Sequence, residues 1–211
     1  VWTSIIESLI IMLIVTLWVV GMYDTFSSSR NLSQATKYRI EALSIAREWI
    51  EAVTNIRDTN ALIFASDLEN CWNALNYNSA CVWNSGTWTD IFWDGKFYIL
   101  FQDTDNRWKL EDRSSSITWT WYFSNAYINN FQVKKDTKGF FTQSGGTDFF
   151  PRYTREMSFQ YLDSLNSTPV STSNTDKLRV SSRVQWVDTS SKKVYEVELN
   201  TLLTNWRKSS N

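Results

Sequence analysis

The sequence predicts an α+β fold: a long N-terminal α-helix, its apolar half projecting, packed through its second half on an antiparallel β-sheet. Three observations predict it. Residues 3–56 contain no proline and a single glycine, Gly21. Within that span the apolar pattern changes from all-round to a one-sided stripe at helical spacing. Beyond Phe97, short segments alternate apolar and polar residues and are separated by turn formers. The chain has 211 residues, enough for one domain with a core plus an extended element.

The helix divides into two halves, 1–29 and 30–56. Leu9 to Met22 is apolar apart from Thr16, and the 19 residues from Ile5 to Tyr23 add only Glu7 and Ser8 as further polar positions. As a helix this stretch spans a hydrocarbon layer of about 30 Å. A cleaved secretory signal carries basic residues ahead of a shorter apolar run; here the first basic residue is Arg30. The chain begins at Val1 without Met and reads as truncated or processed. Glu7 stands near the edge of the apolar run. At a membrane centre its charge would cost about 2.5–3.5 kcal/mol, and less at an interface. It therefore either faces headgroups or has a partner. In the second half Ala42, Ala46, Trp49, Val53 and Ile56 recur at steps of four and three, with Lys37–Glu41 and Arg47–Glu51 as i,i+4 pairs on the wet side. A continuous helix of about 54 residues would be about 80 Å long. Its stripe requires a cover.

These residues resemble a family. Thr3-Ser4-Ile5-Ile6-Glu7-Ser8-Leu9-Ile10, followed by the apolar run and its amphipathic extension, is similar to the N-terminus of type IV pilins and pseudopilins. The resemblance covers residues 3–56 and implies a pilin-like fold. It implies cleavage by a prepilin peptidase between Trp2 and Thr3, N-methylation of Thr3, and an assembly role for Glu7. The carboxylate would pair with the N-terminal amine of a neighbouring subunit, relieving two costly charges at once. The implied partners are further copies of the chain in a helical filament, the pilus assembly machinery, and the inner membrane that holds the precursor before it becomes an extracellular bacterial filament. Two features depart from the pattern: no proline stands near residue 24, where family members often carry one, and Trp2 occupies the cleavage position where the family has Gly. A cut before Val1, or a plain single-pass anchor, are the alternatives.

Composition narrows the function classes. Lys and Arg number 21 against 22 Asp and Glu, so nucleic acid is not the expected main partner. The absence of His removes Ser/His/Asp and Cys/His catalysis and the commonest metal ligand. No enzyme and no cofactor is expected. The chain has 12 Trp but only 6 Gly, whereas globular chains average roughly 7% Gly. One genetic code reads UGA as Trp and another as Gly. If Trp2, Trp18, Trp49, Trp83, Trp88, Trp93, Trp119 and Trp121 were Gly, both residues would have ordinary abundance and position 2 would fit a prepilin cleavage site. The competing expectation is a Trp-rich protein that stacks sugars. The mass of the native peptide holding position 49 separates the two.

Residues 57–96 read as a connecting region rich in Asn, Ser and Asp that holds Cys71 and Cys81. Two cysteines in an exported chain read as one disulfide, with two free thiols as the alternative; a closed loop of that length contributes roughly 2–3 kcal/mol. Residues 97–211 read as the antiparallel head. Lys96–Gln102 and Arg107–Glu111 flank the turn Asp103–Asn106. Arg152–Leu162 is a strand, and Lys177–Val187 forms a hairpin with Val194–Leu199, in which Tyr195, Val197 and Leu199 share a face. Asp103, Asp105 and Asp112 are oxygen donors that could hold Ca²⁺, although the spacing lacks the glycine and final glutamate of an EF-hand and an ordinary turn is favoured. The expected function is that of a structural subunit of a type IV pilus-like filament. The alternatives are a minor pilin or anchored glycan-binding adhesin, or a type II secretion pseudopilin.

Overall fold

A computed structural model describes residues 2–82, 91–114, 125–139, 141–148, 152–170, 175–187 and 193–206, with the side chains of 2, 3 and 125–127 left aside. Residues 1–41 and residues 42–211 form two units. They share one helix, α1, running Trp2–Ile63.

Helix α1 outlasts the expected end at 56 by two turns. Nothing in residues 57–63 breaks it, and Asn60 rewards its continuation: the buried amide donates to the carbonyls of Trp72 (3.4 Å) and Ala74 (2.8 Å). The helix then gives way to a short helix α2 (Leu68–Cys71) and two single 3-10 turns (Leu75–Tyr77, Ser79–Cys81). Cys71 and Cys81 are disulfide-bonded and fully buried beside Phe64 and Ala74. Part of the region expected to be loop is therefore helical and tied down.

In the second unit, β1 (Phe97–Gln102) and β2 (Trp108–Asp112) form the first hairpin. Then come α3 (Asn125–Phe131), a two-residue pair β3 (Lys134–Lys135) with β4 (Phe141–Thr142), and three long strands, β5 (Tyr153–Leu162), β6 (Lys177–Val187) and β7 (Val194–Thr204). The five main strands make one antiparallel sheet in the order β2-β1-β5-β6-β7. The turn expected at Asp188–Lys192 lies outside the described residues.

Strand alternation fixes which side chains meet the helix. Met157, Phe159 and Tyr161 of β5, with Val180 and Leu178 opposite them on β6, form one core with Trp49, Ala52, Val53 and Ile56 of α1. All five members of the predicted stripe, Ala42 to Ile56, are fully buried. Phe159 stacks on Phe92 at 4.6 Å and takes the edge of Tyr98 at 5.3 Å.

Arg155 has the same parity as Met157 and is wholly buried. Its guanidinium carbon lies 3.9 Å from the Trp49 ring centroid, Nη1 donates to the Ile45 carbonyl at 3.4 Å, and Glu48 Oε2 is 3.8 Å away. Its Nε and Nη2, and Trp49 Nε1, have no hydrogen-bond partner among the described residues. Burial pulls the Arg155 pKa down to about 9, with Glu48 opposing, so the charge persists at neutral pH. Such a buried ion pair is a poor source of stability when its donors are unmet. Arg155→Met, which keeps the volume and removes the charge, is expected to leave stability unchanged or raise it by about 1–4 kcal/mol. Arg155→Ala, which opens a void against Trp49, is expected to cost about 2–4 kcal/mol. Urea unfolding of the two variants beside wild type checks the contrast in sign.

Candidate functional site

Two regions hold the candidate residues: the N-terminal part of α1 and the acidic loops of the sheet domain.

In the first unit every described side chain from Ser4 to Lys37 is exposed. The exposed set includes Ile5, Ile6, Leu9, Ile10 and Leu13, and it continues through Tyr23 and Phe26. A helix apolar on all sides needs an apolar surrounding, and this one is long and apolar enough to cross a membrane. Its hydroxyl groups suit such a place. Ser8 Oγ donates to the Ser4 carbonyl at 2.8 Å, Thr16 Oγ1 to the Leu13 carbonyl at 2.8 Å, and Thr25 Oγ1 to the Gly21 carbonyl at 2.9 Å. Each satisfies its donor on its own helix, which a hydrocarbon medium demands. Glu7 cannot do this, because a carboxylate only accepts and the helix interior offers no spare donor. Among the described residues it has no partner, and it is the single charge between Ser4 and Tyr23. The expected cleavage pair, Trp2 and Thr3, belongs to α1, but its side chains lie outside the description.

The acidic candidates do not converge. Asp103 accepts from Lys109 Nζ and from the Thr104 amide at 2.7 Å, closing the β1–β2 turn. Asp112 pairs with Lys96 at 2.6 Å and accepts from the Ser114 amide at 2.9 Å. Asp105 is exposed on the turn. Two of the three carboxylates therefore already have an ammonium partner, and no group of three or more His, Cys, Asp or Glu side chains suited to a metal occurs among the described residues.

Of the tryptophans expected to be Gly, Trp49 is fully buried and Trp18 and Trp93 are exposed. Trp83, Trp88, Trp119 and Trp121 lie outside the described residues. Trp93 has Lys96 Nζ 5.7 Å from its ring centroid.

Sequence reasoning missed Gln143 and Arg155. Gln143 fills the gap where β1 diverges from β5. Its Nε2 donates to the carbonyls of Phe131 (2.8 Å) and Arg155 (2.7 Å), and its Oε1 accepts from the Leu100 amide at 3.4 Å. No local pattern marks such a residue. Arg155 had a signal: it shares the inward parity of Tyr153, Met157, Phe159 and Tyr161.

Compared with known proteins, the chain matches no family model, no curated protein and no solved structure.

Among the described residues three carboxyls have lowered pKa values: Asp103, held down by its bond from Lys109; Asp112, where the Lys96 and Ser114 bonds outweigh burial; and Asp163, held down by the amides of Asn166 and Leu165. A group with a depressed folded pKa contributes stability above its unfolded value, and that contribution is lost as pH falls through the folded one. Glu48 runs the other way. Burial raises it, with Arg155 opposing, so its contribution is present at low pH and lost as pH rises. Urea midpoints are expected to fall between about pH 4 and pH 2, and the fall is expected to shrink when Asp103, Asp112 and Asp163 are replaced together by Asn.

Proposed function

We propose that the chain is a structural subunit of a type IV pilus-like filament. The observation that carries this reading is Glu7, an unpartnered carboxylate on an exposed, all-round apolar helix that continues unbroken into a helix packed on an antiparallel sheet. Three physical steps support it. First, the apolar segment requires a non-aqueous surrounding, and lipid and the packed helices of other copies both supply one. Second, exchanging lipid contacts for helix contacts leaves the carboxylate uncompensated unless a cation meets it. The nearest cation of fixed axial position is the α-amine of another copy's N-terminus. Third, such a pair sets the axial offset between subunits, because any other offset strands both charges.

In this reading the precursor sits in the inner membrane, a prepilin peptidase frees and methylates the N-terminus, and an assembly machine draws subunits into the filament. The work of the chain is packing rather than catalysis, and the sheet domain faces outward.

Glu7→Ala is expected to remain in the membrane fraction at wild-type abundance while surface filaments fall by about tenfold or more, as removal of one partner of a buried charge pair costs about 3–5 kcal/mol. Negative-stain imaging with fractionation reads both quantities. Normal filament numbers from this variant would remove Glu7 from the assembly mechanism.

A further inference from the structure

We propose that β7 is a self-pairing edge, at which two copies of the chain join their sheets antiparallel about Leu199. The pairing follows from the sheet domain alone and needs nothing from the filament reading.

The two edges of the five-stranded sheet differ sharply. Strand β2 is five residues long and carries Lys109, Glu111 and Asp112. It is short and charged, as protected edges are. Strand β7 is eleven residues long, about 37 Å at the usual rise. It contains no proline, lysine or arginine, and it runs one-to-one with β6 from Val187–Val194 to Lys177–Thr204 without a bulge. Among the described residues no strand pairs with its other side. A long, regular and unprotected edge is a template for another strand.

Side-chain exposure points the same way. Tyr195, Val197, Leu199, Thr201 and Leu203 share the helix-facing side. Tyr195 remains 42% exposed although its ring stacks on Trp186, and Val197 and Leu199 are only half-buried. On the opposite side Leu202 is 47% exposed. A neighbouring strand would extend the apolar row and cover it.

Self-complementarity identifies the occupant as a second copy. Directly opposed residues in an antiparallel pair lie on one face, so two copies related by a twofold axis normal to the sheet pair odd with odd and even with even. Centring on Glu198 sets glutamate against glutamate. Centring on Val197 sets Glu196 against Glu198 twice. Centring on Leu199 avoids both. It pairs all eleven residues: Val194 with Thr204, Tyr195 with Leu203, Glu196 with Leu202, Val197 with Thr201, Glu198 with Asn200, and Leu199 with itself. Centring on Asn200 also avoids the clash but pairs fewer residues. In the favoured register each Glu198 meets an amide donor on the other copy. Arg183, 3.8 Å from Glu196 and 3.6 Å from Glu198, moderates the charge on that face.

A twofold contact closes on two copies, whereas subunits along one helical filament repeat head to tail. In the filament proposed above, β7 pairing therefore ties one filament to another.

The test uses the full chain dispersed in detergent, in which the only native cysteines are bonded to each other. Directly opposed Cα atoms in an antiparallel pair lie within disulfide reach. Leu199→Cys is expected to form a covalent dimer under mild oxidation at least about tenfold faster than Leu165→Cys, a control at a fully exposed turn. Val197→Cys and Thr201→Cys are expected to crosslink when mixed and not when alone. That pattern reads the register and serves even where Leu199→Cys disturbs the fold. Crosslinking at 199 no faster than at 165, together with no gain on mixing 197 with 201, would overturn the proposal. Such a result would leave the Glu7 assignment untouched.

Discussion

One uninterrupted helix has to satisfy two different surroundings, and the rest of the structure answers to that constraint. From Ile5 to Tyr23 α1 is apolar on every side; from Ala42 to Ile56 it is apolar along a stripe. An all-round apolar surface can be covered only by a medium or by several neighbours, whereas a stripe can be covered by one sheet. The chain supplies the sheet itself and leaves the other surface to be covered from outside. The hydroxyls of Ser8, Thr16 and Thr25 are closed on their own helix, whereas the Glu7 carboxylate is not. Glu7 is the single charge between Ser4 and Tyr23, and a carboxylate cannot be closed in this way because it only accepts.

The sheet meets its own demand with polar devices as well as apolar contact. Asn60 holds the chain that leaves α1, Asn73 donates to the Tyr161 hydroxyl at 2.8 Å, and Gln143 bridges two strands that have parted. The Asn73 bond reaches across the core from the segment after the helix to the end of β5. Burial raises the Tyr161 pKa well above the ordinary phenol value, with the Asn73 bond opposing, so the hydroxyl stays protonated and can serve as acceptor and donor together. Cys71–Cys81 and these amides together fix a stretch whose own apolar content would not hold it.

Much of this was legible in the residues. The change from all-round to one-sided apolar pattern marked the two halves of α1, and the strand pattern marked β6 to the residue and β5 to within one residue of its start. What escaped has a common physical cause. The helix end at Ile63, the amides of Asn60 and Gln143, and the helix α3 depend on partners far along the chain, and local periodicity carries no trace of them. Strand β7 runs to Thr204, past the expected end at Leu199, and passes through Asn200, a residue of low strand preference. Pairing with β6 overrides that preference, and tertiary context regularly does so for strands. The candidate site divides in the same way: Glu7 was visible as a charge in an apolar run, while for Asp103 and Asp112, where the sequence favours an ordinary turn over a Ca²⁺ site, the bonds from Lys109 and Lys96 could not be read from spacing.

Arg155 shows how the excess of tryptophan bears on the fold. A buried guanidinium needs either water, an anion or an aromatic face. Glu48 lies at 3.8 Å, a long ion pair, and only Nη1 finds a carbonyl. The remaining compensation comes from the Trp49 ring at 3.9 Å. Residue 49 therefore controls whether Arg155 is tolerated dry. With an indole there, the site is closed and two guanidinium nitrogens go unmet; with Gly there, an indole-sized space opens beside the charge, large and polar enough to admit water. The two residues imply different cores from the same backbone path: a dry one resting on a cation–π contact, and a wet one in which the orphaned donors are met by solvent. Position 49 thus joins the composition of the chain to its packing, and its identity decides which of the two cores the helix and the sheet enclose.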